Sequence, residues 1–159
     1  MTIFDTALEF VLRSEGGYVD NPADSGGATN YGITQNVYNT YRKSHSKPIE
    51  DVKNITYIEV SDIYYNEYWI ASGCSKLTNK LAVVVFDTAV NMGVSRAQNF
   101  LKLSISNVDK YLALREGKYI EFAQDVPSQK IFLNGWLNRI KNLKLFISKI
   151  SWKILKYLI

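Results

Sequence analysis

The chain has 159 residues and a mass of 18.2 kDa, the size of one domain or of a compact domain with an appendage, and its 47% hydrophobic share supplies a sizeable core. The net charge of +4 divides into −4 over residues 1–95 (7 Lys/Arg against 11 Asp/Glu) and +8 over residues 96–159 (12 against 4), so the second part calls for an anionic partner: wall polymer, membrane surface or nucleic acid. The single Cys74 excludes an intramolecular disulfide, Cys74 and the lone His45 make no metal cluster, and no apolar run reaches the length of a membrane span.

Ile3, Phe4, Ala7, Leu8, Val11 and Leu12 repeat at helical spacing behind Thr2, a good N-cap, and Glu15-Gly16-Gly17 ends that helix near Ser14. The start lacks the basic and apolar regions of a signal peptide, so the expectation is synthesis in the cytoplasm and another route out. Tyr18-Val19 and Asn30 to Ile33 are short β-prone pieces around Asn-Pro and Ser-Gly-Gly turn signals, which predicts a small hairpin lobe. Thr34 caps a second helix through Val37, Tyr38 and Tyr41. Thr56-x-x-Glu59 is a capping box opening a third through Ile58, Ile63, Tyr64 and Trp69. Leu81 to Val90 reads as a buried central helix closed by Met92-Gly93, and Ser95 can cap a short helix through Phe100 and Leu101. A longer helix spans Val108 to about Phe122, Pro127 breaks it, and Ser128 starts the next through Phe132, Leu133 and Trp136. From Leu137 on, Ile140, Leu143, Ile147, Ile150, Ile154 and Leu158 form an apolar stripe decorated by Lys141, Lys144, Lys149, Lys153 and Lys156. The fold class is mainly α, with one small β element near the N-terminus.

Chemistry concentrates between Glu15 and Thr34. Glu15 sits at the negative end of a helix macrodipole, which disfavours a second anion there. Asp24 follows nine positions later across a glycine-rich turn. A glycosidase needs one carboxyl that donates a proton to the leaving oxygen and a second that attacks the sugar or activates a water. Thr29, on the return side, is placed to bond that water or the second carboxylate. Spacing alone leaves an equally local alternative open: Asp24 caps the turn, Glu15 is solvated and Thr29 supports a strand. Asp87 and Asn91 lie one helical turn apart on the apolar central helix, either as a satisfied core pair or with Asn91 facing a saccharide. Tyrosine outnumbers phenylalanine and tryptophan together; Tyr18, Tyr31 and Trp69 are candidates for stacking on sugars, with core packing the competing use.

Glu15-Gly-Gly-Tyr18, Asp24-x-Gly-Gly-Ala-Thr29-Asn30-Tyr31-Gly-Ile-Thr34, Tyr68-Trp69 and Phe86-Asp87-x-Ala89-Val90-Asn91-x-Gly93 together resemble glycoside hydrolase family 108, the bacterial and prophage N-acetylmuramidases. The resemblance implies a lysozyme-like α fold over residues 1–95. It also implies cleavage of the MurNAc–GlcNAc β-1,4 bond of peptidoglycan without metal or cofactor, with the catalytic glutamate at Glu15. Glu15, Asp24 and Thr29 also resemble the Glu–Asp–Thr triad of phage-type lysozymes, the Asp–Thr gap being one residue shorter. Tyr18, Asn30, Tyr31, Trp69 and Asn91 are the substrate-binding candidates.

Residues 96–159 resemble a shortened peptidoglycan-binding module, carried by Arg115-x-x-x-Tyr119 and Phe132-Leu-Asn-Gly-Trp136-Leu-Asn-Arg139, with its usual front half missing. The lysine-edged stripe fits a helix on an anionic membrane or wall surface, and equally one docked on the domain. It does not suit sequence-specific nucleic-acid binding. The expectation is a monomeric, endolysin-like bacteriolytic muramidase acting on the wall after holin-type or other release. The alternative is a degraded relative that binds wall or serves secretion assembly.

Overall fold

A computed structural model describes residues 1–20 and 27–150. Among these residues it is mainly α, with seven α-helices and one two-stranded antiparallel sheet, as the periodicity predicts. The chain forms two compact units, Met1–Tyr68 and Trp69–Ile159.

In the first unit, Thr2 closes a full capping box on α1 (Ile3–Leu12). Asp5 N–H donates to Thr2 Oγ1 at 3.1 Å and Thr2 N–H donates to Asp5 Oδ2 at 2.7 Å. Phe4, Ala7, Leu8 and Val11 of that helix are buried at the expected spacing. The chain returns through an isolated bridge between Val19 and Thr29. Strand β1 (Thr29–Asn30) then pairs with β2 (Ile33–Thr34), Thr29 opposite Thr34 and Asn30 opposite Ile33. The stretch from Asn30 to Ile33, expected as one extended piece, therefore folds back on itself. Tyr31 and Gly32 make the reversal with φ of 51° and 73°, the double positive φ of a type I′ hairpin loop.

Thr34 caps α2 (Gln35–Ser44) by accepting from Val37 N–H at 3.3 Å. A 3₁₀ turn over Val52–Asn54 leads to α3 (Tyr57–Tyr64), opened by the predicted Thr56–Glu59 capping box. Glu59 does more than cap. Its buried carboxylate accepts from Tyr38 Oη at 2.9 Å, Arg42 Nη1 at 2.9 Å and Lys47 Nζ at 3.1 Å, which fastens α3 to α2. Burial opposes that charge, but the hydrogen bonds from Thr56, Tyr38 and Lys47 outweigh it and hold the carboxyl down at about 2. Helix α3 runs on into a π-helical turn, Tyr65–Ile70, a widening often found at functional sites.

The second unit is built on α4 (Asn79–Met92), whose residues from Leu81 to Ala89 are all buried. Gly93, at φ 91°, turns the chain straight into α5 (Val94–Ser104). That helix was expected to be capped by Ser95. It starts a residue before it instead, because the glycine conformation reverses the chain without a linker. Asn107 caps α6 (Val108–Asp125) by accepting from Lys110 N–H at 2.8 Å. Pro127–Phe132 is a 3₁₀ segment rather than the helix predicted from Ser128, and α7 (Leu133–Ser148) follows it. The stripe Ile140, Leu143, Ile147 and Ile150 is buried, with Lys141, Lys144 and Lys149 exposed. Helices α5, α6 and α7 each pack on α4. The rest of the stripe, Ile154 and Leu158, lies outside the described residues.

Candidate active site

The end of α1 delivers Glu15 by a tightening of the last turn. Ser14 N–H and Glu15 N–H both donate to Val11 O, at 2.9 and 3.3 Å, and Gly16-Gly17 then leads the chain away. The half-buried Glu15 side chain reaches the hairpin turn. Its Oε2 lies 2.9 Å from the point where a β-carbon on Gly32 would stand, a space that exists only because residue 32 has no side chain. Glycine is needed here twice, for its φ of 73° and for this close approach. The phenol of Tyr68 is pushed up, by burial first and then by the carboxylates of Glu67 and Glu15.

The other candidates of this unit sort by what already occupies them. Thr29 is half-buried; its backbone N–H donates to Val19 O at 2.8 Å and its carbonyl accepts from Val19 N–H at 2.9 Å, so the residue is fixed between two strands. Asn30 is buried, and its Nδ2 donates to the carbonyls of Val52 and Lys53, both at 3.2 Å. It pins the hairpin to the 3₁₀ turn. Tyr18 and Tyr31 are each 38% exposed and keep ring surface open to a ligand; Lys53 Nζ lies 5.5 Å from the Tyr18 centroid. Asp24 lies outside the described residues.

Trp69 and Asn91 belong to the second unit. Trp69 is only 3% exposed and packs edge-on against Phe86 at 5.5 Å, so core packing takes up the ring that stacking on sugar would require. Asn91 Oδ1 accepts from the Tyr119 hydroxyl and, at 3.5 Å, from Arg115 Nη2. Its helical neighbour Asp87 is wholly buried and held by two arginines. Arg115 Nη1 donates to Oδ2 at 2.5 Å, while Arg139 Nε and Nη2 donate to Oδ1 at 3.0 and 2.8 Å. Burial would raise that carboxyl, but the guanidinium groups of Arg115 and Arg139 overcome it and keep it below the ordinary aspartate range. Arg115 also bonds Tyr119 Oη, at 3.2 and 3.0 Å, and Tyr119 stacks on Trp136 at 5.0 Å. Arg115, Tyr119 and Arg139 thus converge on Asp87 and Asn91; Asp87 is a satisfied core group, whereas Asn91, at the end of the helix, is exposed although bonded. Sequence reasoning missed Gly32 and Tyr64 beside Glu15. The signal was there in Tyr31-Gly32, a two-residue turn between β-prone pieces, but tyrosine is an unusual residue for its first position.

No curated protein matches the chain. Among solved structures, SagA of Brucella abortus superposes with a TM-score of 0.70 at 24% identity, covering 93% of this chain and 95% of that one, which carries the likeness of fold: mainly α and lysozyme-like. The sequence profile described as Glycosyl hydrolase 108 matches residues 8–93, more than half of the chain, including Glu15, the hairpin and all of α4. This protein belongs to the glycosyl hydrolase 108 family, a family of peptidoglycan-degrading glycoside hydrolases.

Proposed function

We propose that the protein is an N-acetylmuramidase that cleaves the MurNAc–GlcNAc β-1,4 bond, with Glu15 protonating the glycosidic oxygen. The observation that carries this reading is the Glu15 carboxyl, presented at a helix end and seated over Gly32 in a recess that no other residue would leave open. A general acid works only when its oxygen is held within reach of the bond it protonates, and a recess of backbone and buried side chains supplies that constraint. Asp24 serves as the second carboxylate, which positions or activates the water or stabilises the oxocarbenium-like transition state. Thr29 assists it. The open rings of Tyr18 and Tyr31 offer stacking surface to the sugar chain. Lys141, Lys144 and Lys149 hold the enzyme near anionic wall or membrane polymer.

The test is release of reducing ends from purified peptidoglycan. Glu15→Gln should lower the rate by about a thousandfold or more while leaving the thermal unfolding curve in place. Muropeptides released in heavy-oxygen water should carry one label at a new MurNAc reducing end. Undiminished hydrolysis by Glu15→Gln would sink the assignment of the acid, and label on GlcNAc would sink the bond.

A further inference from the structure

The hairpin loop places a bulky side chain where few are found. Tyr31 has φ 51°, a left-handed conformation unfavourable to an L residue, and the strands on either side number only two residues each. Two-residue strands cannot hold such a turn alone. The Val19–Thr29 bridge and the Asn30 side chain hold the strands, and support at the turn itself comes from the end of α3. The Tyr64 hydroxyl donates to the Tyr31 carbonyl at 2.9 Å. Tyr64 is itself fixed, being 2% exposed with its ring packed on Tyr68 at 5.4 Å. The same hydroxyl oxygen lies 3.0 Å from the position of an imagined Gly32 β-carbon, the point that Glu15 Oε2 approaches to 2.9 Å. Turn, phenol and carboxyl therefore meet at one place.

From this geometry we propose that Tyr64 is a positioning residue for Glu15: its hydroxyl clamps the Tyr31–Gly32 turn and so forms the recess that fixes the carboxyl. The inference rests on Glu15 being the acid, but the clamp itself is observable without activity. Tyr64 is too buried to touch substrate and acts only through the turn.

The experiment compares Tyr64→Phe with the unaltered protein on purified peptidoglycan and by amide NMR. The expected result is a kcat lower by about tenfold or more with KM within about twofold, since small misplacements of a reacting group cost rate rather than binding. The pH–activity curve is displaced, and the amides of Gly32 and Ile33 shift and exchange faster. In a Tyr31→Asn background the same substitution should cost several-fold less, because asparagine adopts the left-handed conformation readily and needs the clamp less. This comparison also holds if Tyr64→Phe alone folds poorly. Unchanged Gly32 and Ile33 amides overturn the clamp whatever the activity. Changed amides with unaltered kcat and pH curve overturn its link to Glu15, and so does an equal cost in both backgrounds. Failure of Glu15→Gln to reduce activity, with the amides responding as expected, strikes the acid assignment rather than the clamp.

Discussion

Two glycines of the first unit have nearly the same backbone conformation and different surroundings, so they separate strain from contact. Gly27 (φ 69°) has nothing near an added β-carbon among the described residues, while Gly32 (φ 73°) has Glu15 Oε2 and Tyr64 Oη at 2.9 and 3.0 Å. Gly27→Ala should destabilise by about 1 kcal/mol, the cost of a left-handed alanine. Gly32→Ala should cost about 2–3 kcal/mol, because overpacking adds to the same strain. Urea unfolding midpoints of the two variants measure the difference. Equal losses would mean that the carboxyl yields freely and that the recess is not a constraint. Tyr31 illustrates a feature only half legible in sequence: Gly32 signals a turn, but the β propensity of Tyr31 reads as strand, and its bond from Tyr64, 33 residues away, depends on the fold.

Among elements, the joint between α2 and α3 carries the clearest dependence on pH. The Glu59 carboxyl titrates at about 2 in the folded protein against 4.5 for an ordinary glutamate. A depressed folded value means that unfolding takes up a proton as the solution is acidified. The stabilisation is therefore complete above about pH 4.5 and drains away as pH falls toward 2. Glu59→Gln should cost about 2–4 kcal/mol at pH 7, since it leaves the Tyr38, Arg42 and Lys47 donors facing a neutral amide. Unfolding midpoints at pH 7, 4 and 2.5 should show the gap between variant and parent closing, and a gap independent of pH would refute this account. The capping half of Glu59's work was legible in Thr56-x-x-Glu59, because a capping box is complete within four residues. Its ties to Tyr38 and Lys47 were not, since they depend on how two helices meet.

For the molecule as a whole, the same limit explains what could be read in advance and what could not. Helix periodicity, the caps at Thr2, Thr34 and Thr56 and the position of Glu15 at the end of α1 are local, and the structure follows them, while the starts expected at Ser95 and Ser128 give way to a glycine reversal and a 3₁₀ segment. Asp87 finds its partners 28 and 52 residues away, at Arg115 and Arg139, and no spacing in the sequence announces a contact of that range. Removing the carboxylate by Asp87→Ala leaves Arg115, which is wholly buried, without its counter-ion and should cost about 3–5 kcal/mol in calorimetric or urea unfolding. Combined with Arg115→Met the loss should be less than the sum of the two, because the second change removes the stranded charge. Strict additivity would contradict the pairing. The Asp87–Arg115–Arg139 cluster also bears on how far the chain can be shortened. The stretch that carries the family signature ends at residue 93, yet the charge at the centre of α4 is neutralised from α6 and α7. A fragment cut after that stretch would bury a lone carboxylate or refuse to bury it. The helices beyond residue 95 are thus part of what lets α4 exist as a core helix, and they cannot be exchanged or trimmed like a detachable tail, whatever else they bind.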